Sequence, residues 1–114
     1  MENCLFCKIA NKEIPSSVVY EDDKILAFND INPVAPVHIL VIPKKHIAGA
    51  DAIEAEDAEI LGYIWTKIRE IAEKAGVAEK GFRVINNCGE DGGQTVRHLH
   101  FHIIGGVKLT EKMI

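Results

Sequence analysis

Three of the five histidines stand at alternate positions near the end of the chain, in the string HLHFHII that covers residues 98–104. Such alternation with large apolar residues is typical of a half-buried β-strand. Successive side chains of a strand point to opposite faces, so we expect His98, His100 and His102 to share one face. Imidazoles in a row can bind a metal ion, or can act as acid, base or nucleophile, because the ring titrates at about pH 6.5.

The pattern favours acid–base or nucleophilic chemistry over a metal ion held by all three rings. Rings on one flat strand face are parallel, whereas the ligands of a tetrahedral metal converge. The preceding string GEDGGQT at residues 89–95 contains three glycines and leads into the histidines. Glycine allows backbone N–H groups to approach an anion closely, and Thr95 adds a hydroxyl donor. The sequence therefore suggests a phosphate group lying over the imidazoles.

Cys4 and Cys7 form a Cys-x-x-Cys pair, while Cys88 stands apart. In a reducing compartment such a pair is more often metal-binding or redox-active than a structural disulfide. A thioredoxin-like role would need a βαβ pattern, which the sequence lacks. The pair supplies half of a tetrahedral zinc shell, and two unligated buried cysteines remain the alternative.

The composition indicates a globular protein with one domain over residues 1–114. Its 114 residues are 47% hydrophobic and 26% charged, with a formal net charge of −4. A negative net charge argues against non-specific binding of nucleic acid. No apolar run approaches the roughly 20 residues of a membrane span, and the first residues show no signal-peptide pattern. We therefore expect a cytoplasmic protein that binds neither nucleic acid nor membrane.

The periodicities predict an α+β fold: an antiparallel sheet of about five strands with one long helix and a short N-terminal helix. Apolar residues at steps of three and four, among them Leu61, Ile64, Ile68 and Ile71, predict the long helix over 56–75. Leu5, Phe6 and Ile9 fit one face of the short helix. Period-two patterns and turn residues predict strands at 18–20, 25–28, 37–42, 82–86 and 98–104.

The chain resembles a known family. GGQTVRHLHFHII is similar to the histidine triad signature, in which three histidines alternate with apolar residues. The earlier string KEIPSSVVYEDDKILAFNDINPVAPVHILVIPKKHI resembles the Hint branch of the histidine triad (HIT) superfamily, and the likeness runs from Cys4 to about Gly106. The resemblance implies a HIT-like fold. It also implies a hydrolase that cleaves purine nucleoside phosphoramidates or related adenylyl compounds through a nucleotidyl-histidine intermediate.

The resemblance also assigns roles to residues. His100 would be the nucleophile, His102 would contact the phosphate and assist proton delivery, and His38 and His98 would complete the catalytic histidines. Asp30 would bind the ribose, since its two carboxylate oxygens can each accept from one hydroxyl. The residues that match the purine slot are Leu5, Phe6, Phe28, Ile31 and Leu40. Those that match the phosphate contacts are Asn87, Gly93, Gln94 and Thr95.

Some bacterial histidine triad proteins hold a structural zinc ion, and the resemblance extends to that site. The matching residues are Cys4, Cys7, His46 and His98. No cofactor is implied for the chemical step itself. The expected partners are a purine nucleoside monophosphate or phosphoramidate as ligand and a second copy of the chain, because the family forms homodimers through the long helix.

Three other functions remain compatible with the sequence. The same histidines would serve a dinucleoside polyphosphate hydrolase or a nucleotidyl transferase. A non-catalytic nucleotide-binding module would bind AMP without turnover, and a metalloenzyme would use the triad as ligands. The resemblance ends after Gly106: residues 107–114 lack the aromatic and proline residues of a typical Hint tail. Contacts to the leaving group are therefore not predicted.

Overall fold

The computed structural model describes residues 3–114 of the chain. Within that range the elements are, in order, α1 (Leu5–Ala10), β1 (Val18–Glu21), β2 (Ile25–Asn29), β3 (Val37–Pro43), α2 (Ala58–Lys74), β4 (Phe82–Ile85) and β5 (Phe101–Gly105). Two short 3₁₀ turns, Ala50–Ala52 and Ala55–Asp57, lie between β3 and α2. The predicted α+β architecture, with one long and one short helix, is confirmed.

The strands form one antiparallel sheet in the order β1-β2-β3-β5-β4. β5 therefore lies between β3 and β4, which brings the last strand of the chain into the interior of the sheet. In this register His38 of β3 is opposite Ile104 of β5, and Leu40 is opposite His102. The pairing of β3 with β5 thus brings the lone histidine of β3 close to the triad.

Each face of the sheet is covered by one helix. Towards α2, a buried apolar cluster includes Ile64, Ile68, Ile71, Leu99, Phe101 and Ile103. Towards α1, a second cluster includes Phe6, Ile9, Leu26, Phe28, Leu40 and Ile42. Removing these side chains from water is the main driving force that holds both helices on the sheet. His100 lies on the same face of the sheet as α1, because its ring is 5.0 Å from the ring of Phe6.

The last strand begins later than the sequence predicts, at Phe101 instead of His98. Before it, the N–H of His98 donates to the carbonyl of Val96 at 2.9 Å, and the N–H of Leu99 donates to that of Ile47 at 2.6 Å. These backbone groups therefore bond to neighbouring loops instead of a strand. The alternation itself holds, since Leu99 and Phe101 both enter the core on the α2 side. Alternation predicts the direction of a side chain but not the partner of its backbone.

The long helix also begins later than predicted, at Ala58 instead of Glu56. The preceding 3₁₀ turn is closed by a capping box, in which the side chain of Asp57 accepts from the N–H of Glu54 at 3.0 Å. Acidic residues are common both in the cap that precedes a helix and in its first turn. The sequence pattern alone therefore does not show at which residue the helix begins. Across residues 3–114, no helix has the length and hydrophobicity that crossing a membrane requires.

Candidate active site

A cavity of about 310 Å³ opens between α1, β2 and the glycine-rich loop before β5. It is lined by all five residues predicted for the purine slot and by the predicted ribose, phosphate and catalytic residues Asp30, Thr95, His100 and His102. Sequence reasoning missed Ile9, Ile14, Pro15, Ser16, Ser17, Asn29, Asn32 and Val96, which also line it. The apolar inner wall and the polar residues near the triad fit a ligand with an aromatic base at one end and polar groups at the other.

One of the missed residues had a usable signal. Ile9 lies four positions after Leu5 and three after Phe6, which places all three on one helical face. Ser16, Ser17 and Asn29 had no such signal. They reach the cavity because β2 pairs antiparallel with β1 and Asn29 Nδ2 donates to Ser17 Oγ at 3.0 Å.

The geometry fixes the tautomer of His100. Its Nδ1 lies 2.7 Å from the backbone carbonyl of His98, and a carbonyl oxygen can only accept a hydrogen bond. The proton of neutral His100 is therefore on Nδ1, and Nε2 carries the free lone pair. The residue is buried, with 4% of its surface exposed, yet it lines the cavity. This is the arrangement of an imidazole that presents one nitrogen as a nucleophile.

His38 and His102 form a second oriented pair. The backbone N–H of Val34 donates to Nδ1 of His38 at 3.1 Å, so neutral His38 carries its proton on Nε2. That nitrogen lies 2.9 Å from Nδ1 of His102 and donates to it. The proton of neutral His102 is consequently on Nε2. His38 is buried next to His102, and its hydrogen bond orients the His102 ring. This position is the one expected of the fourth histidine in the predicted site.

The electrostatics favour the neutral rings of His100 and His102 near pH 7. Burial lowers the pKa of His100, although the bond to the His98 carbonyl partly opposes this. Burial, followed by the neighbouring His100 and His38, lowers the pKa of His102 to about 4. Rings packed this closely disfavour simultaneous protonation. A neutral His100 is the form that can attack an electrophile.

Asp30 lies at the cavity wall with a fixed orientation. Its Oδ1 accepts from the backbone N–H of Asn32 at 2.8 Å, and its Oδ2 lies 3.4 Å from Nε2 of His38. An ionised carboxylate can accept about four hydrogen bonds. Its remaining lone pairs are suited to the two vicinal hydroxyls of a ribose.

The other predicted phosphate contacts lie in the glycine-rich loop or just before it, but several of their groups bond to the loop itself. Nδ2 of Asn87 donates to the carbonyl of Gly92 at 2.8 Å. The N–H of Gly93 donates to the carbonyl of Glu90 at 3.0 Å. Gln94 bonds to the backbone of the loop with both ends of its amide. Of the four residues predicted to contact phosphate, Thr95 is the one that lines the cavity.

The four residues predicted to bind zinc lie together at the start of α1. Their Sγ and ring nitrogen atoms are all within 4.8 Å of one another. Nδ1 of His98 lies 3.3 Å from Sγ of Cys4, and Nδ1 of His46 lies 3.2 Å from Sγ of Cys7. The predicted set of Cys4, Cys7, His46 and His98 is thus brought together from three separate parts of the chain.

The donor set fits a tetrahedral zinc ion. Zinc bound at usual lengths, about 2.3 Å to sulfur and 2.05 Å to nitrogen, sets neighbouring sulfur and nitrogen about 3.6 Å apart. The ring of His98 is also oriented for binding, because its Nε2–H donates to the carbonyl of Pro43 at 2.8 Å and leaves the Nδ1 lone pair facing the thiols. Burial and the neighbouring Cys4 raise the pKa of Cys7 to about 11, whereas a bound cation favours the thiolate.

The three triad histidines do not converge on one metal ion. His98 faces the cysteines, while His100 and His102 line the cavity. A further group of possible ligands comprises Asp30, His38 and His102. A metal ion on Nε2 of His38 would need the proton on Nδ1, where the N–H of Val34 already points. The tautomers therefore favour a hydrogen-bonded chain at this position.

Comparisons with known proteins agree with this geometry. The family model of the HIT domain matches residues 11–109. Purine nucleoside phosphoramidase of Escherichia coli is 47% identical over 105 residues, which are 92% of this chain and 88% of that protein. A histidine triad protein from Clostridium difficile is 56% identical, with a TM-score of 0.95 over 98% of this chain and 97% of that one. A HIT family hydrolase from Clostridium thermocellum is 51% identical, with a TM-score of 0.97 over 100% of this chain and 99% of that one.

The matched range includes β1 to β5 and every triad histidine, so the likeness covers both the sheet and the site. The identities hold over nearly the whole length of both chains in each comparison. The chain belongs to the HIT domain family.

Proposed function

We propose that this protein is a hydrolase of purine nucleoside phosphoramidates or related adenylyl compounds, and that it acts through a nucleotidyl-histidine intermediate on His100. The observation that carries the proposal is the 2.7 Å bond from Nδ1–H of His100 to the His98 carbonyl, which leaves Nε2 as the free nitrogen of a buried ring at the cavity. The 47% identity with the phosphoramidase of Escherichia coli supports the substrate class.

In the first step Nε2 of His100 attacks the α-phosphorus, and a phosphorus–nitrogen bond to the enzyme forms as the bond to the leaving amine breaks. His102 is neutral at pH 7, since its pKa is about 4, and its proton is on Nε2 because Nδ1 accepts from His38. The Nε2–H of His102 donates to the phosphate group and assists the delivery of a proton from solvent to the leaving nitrogen, which departs as the neutral amine.

In the second step water attacks the same phosphorus, the bond to Nε2 breaks, and the nucleoside monophosphate leaves. The proton of the attacking water passes to solvent, so the free enzyme with neutral His102 is regenerated. Asp30 holds the ribose and the apolar wall holds the base throughout. The hydroxyl and N–H of Thr95 stabilise the charge that develops on the phosphate oxygens.

We also propose that Cys4, Cys7, His46 and His98 hold a structural zinc ion. A closed shell of four protein ligands leaves no position for a reactive water, so the ion would stabilise the fold and take no part in the chemical step. Such a site requires reduced thiols, and all three cysteines are free. This supports action in a reducing compartment such as the cytoplasm.

Substitution of His100 tests the mechanism. His100→Ala should abolish turnover of adenosine phosphoramidate yet largely retain AMP binding, because no hydrogen bond can replace the covalent intermediate. His102→Ala should slow turnover about 10²- to 10⁴-fold, the usual effect of a lost general acid or base. Rapid quench of the wild type with radiolabelled substrate should trap label that is labile in acid and stable in base. Retained turnover and labelling in His100→Ala would show that another residue is the nucleophile.

A substrate panel separates the proposed activity from its rivals. Adenosine and guanosine phosphoramidates, diadenosine polyphosphates and ADP should be compared under identical conditions. Fastest turnover of a phosphoramidate supports the proposal, and fastest turnover of a dinucleotide favours the polyphosphate hydrolase. AMP binding without turnover of any compound would identify a nucleotide-binding module.

A further inference from the structure

The side-chain amide of Gln94 is the centre of a hydrogen-bond network at the base of the glycine-rich loop. Its Oε1 accepts from the N–H of Gly89 at 2.9 Å and from Nη1 of Arg97 at 2.8 Å. Its Nε2 donates to the carbonyl of Ala48 at 2.8 Å and to that of Val96 at 2.9 Å. The network thus joins both ends of the loop to the segment that follows β3.

All four partners agree on the orientation of the amide. Gly89 N–H and Arg97 are donors and meet the oxygen, while the carbonyls of Ala48 and Val96 are acceptors and meet the nitrogen. Both hydrogens of the amide nitrogen and two acceptor positions of its oxygen are therefore engaged inside the protein. The side chain is half-buried and lies outside the cavity lining, so the amide has no donor left for a nucleotide.

The network is tightly packed and anchored on its far side. A Cβ atom added to Gly49 would lie 2.8 Å from Nη1 of Arg97 and 3.1 Å from Oε1 of Gln94. Nη2 of Arg97 donates to Oδ1 of Asp51 at 3.1 Å. The amide is consequently held from both the loop side and the segment after β3.

We propose that Gln94 is a positioning residue that fixes the phosphate-binding loop and contacts no part of the nucleotide. The inference rests on the proposed function, because it needs a phosphate at this loop. Thr95 and Val96 follow Gln94 directly and line the cavity. Bonds from the amide to Gly89 and Val96 hold the loop closed on either side of Thr95, which sets the position of its hydroxyl and N–H. Preorganised donors of this kind stabilise a developing charge without reorganisation.

The test is Gln94→Met, which keeps the length of the side chain and removes its hydrogen bonds. Calorimetry should show that AMP binding weakens about tenfold, the lower end of the effect of losing a hydrogen bond to a charged group. Adenosine binding should change much less, because the residues proposed to hold the base and the ribose lie outside the loop. Turnover of adenosine phosphoramidate should fall about 10- to 100-fold, less than the 10²- to 10³-fold loss typical of removing an oxyanion donor itself.

A stability-matched control separates positioning from general loosening. Ile68→Val removes a buried methylene from the α2 side of the core and should lower the melting temperature without changing the ratio of AMP to adenosine affinity. If Gln94→Met does not fold, Gln94→Asn serves instead. It keeps a neutral amide but is one methylene shorter, so it cannot keep all four hydrogen bonds, and it should weaken AMP binding selectively as well.

The outcomes distinguish this inference from the proposed function. A wild type that binds adenosine as tightly as AMP would contradict a phosphate site at the loop and so the proposed function. A wild type that prefers AMP, with the preference unchanged in the Gln94 variants, would overturn the positioning role alone. An equal loss for both ligands would also overturn it, since it would show a structural effect on the whole cavity.

Discussion

His38, His98 and His100 each have one ring nitrogen whose backbone partner can act in only one way. Carbonyl oxygens meet Nδ1 of His100 and Nε2 of His98, so both nitrogens carry protons. A backbone N–H meets Nδ1 of His38, so that nitrogen carries none. Backbone groups therefore decide which nitrogen would attack in the proposed reaction, which would bind the proposed zinc ion and which donates to His102. The same residue type is suited to three uses because the backbone around each ring differs.

Asp30→Ala should weaken binding of a ribonucleotide and leave the fold intact. The carboxylate has lone pairs for two hydroxyls, and losing charge-assisted hydrogen bonds typically costs about 1.5–3 kcal/mol. Calorimetry with AMP measures the effect. With a 2′,3′-dideoxy ligand, which has no such hydroxyls, the variant and the wild type should bind alike. Equal binding of both ligands by the wild type would mean that Asp30 does not recognise the ribose.

His102 should make the folded protein lose stability as the pH falls from about 6.5 to about 4. Its pKa is about 4 in the folded state against an ordinary value of 6.5, because of burial and of the nearby His100 and His38, with Asp30 opposing them. Between these values the unfolded chain binds a proton at this residue and the folded chain does not. The contribution of neutral His102 to the free energy of unfolding is fully present above pH 6.5. The loss at low pH should be on the order of 2 kcal/mol, since the ring is partly exposed.

The measurement is the free energy of unfolding in urea at several pH values, for the wild type and for His102→Asn. Both proteins contain the same cysteine–histidine cluster and the same carboxylates, so their difference isolates His102. The variant should have a shallower pH dependence between 6.5 and 4. Parallel curves for the two proteins would show that His102 is not held neutral in the folded state.

Helix α1 is too short to be stable without its tertiary contacts. It has six residues, whereas isolated helices shorter than about 12–15 residues are marginal in water. Sγ of its N-cap residue Cys4 accepts from the N–H of Cys7, and both thiols belong to the cysteine–histidine cluster. Phe6 packs into the apolar cluster on this face of the sheet. A metal ion in the cluster would tie the helix to the ends of β3 and of the glycine-rich loop.

Removal of the metal should therefore destabilise α1 more than the sheet. Protein prepared without chelator should hold about one zinc ion per chain by elemental analysis, a prediction from the four-ligand set. After chelation, hydrogen exchange of the α1 amides should increase while that of β3 changes little. Cys7→Ser should lose zinc, and Cys88→Ser is the matched control because Cys88 lies outside the cluster. Metal-free preparations of the wild type would contradict the prediction.

The whole molecule leaves an apolar side chain exposed on its longest helix. Trp65 of α2 is 52% exposed, and its ring lies 5.8 Å from that of Phe101. β4 is an edge strand of the sheet and offers unpaired backbone groups. Both features support the homodimer that the family resemblance implies, with α2 at the interface.

Sedimentation equilibrium at micromolar concentration should give a mass twice the 12.6 kDa of one chain. Trp65→Glu should shift the protein towards the single-chain mass, because an unpaired charge would be buried at the interface. A single-chain mass for the wild type would contradict the dimer.

The sequence by itself determined the types of the elements and many of the residues that the fold brings together at the cavity. Alternation placed Leu99, Phe101 and Ile103 on the core side, and helical spacing predicted the packed face of α2. The family pattern supplied the four residues of the cysteine–histidine cluster and nine of the residues that line the cavity. These features follow from local periodicity or from short motifs, which a sequence records directly.

Tertiary structure alone decided which atoms of the site residues meet. The contact between Cys4 and His98 joins positions 94 residues apart, and that between Cys7 and His46 joins positions 39 apart. Alternation put the triad histidines on one face, but His98 lies before the start of β5, where its ring reaches the carbonyl of Pro43 and the thiols. The position of Gln94 in the motif suggested a nucleotide contact, whereas its amide bonds to the carbonyl of Ala48, 46 residues away. Such partners depend on strand order and loop packing, which local patterns do not encode.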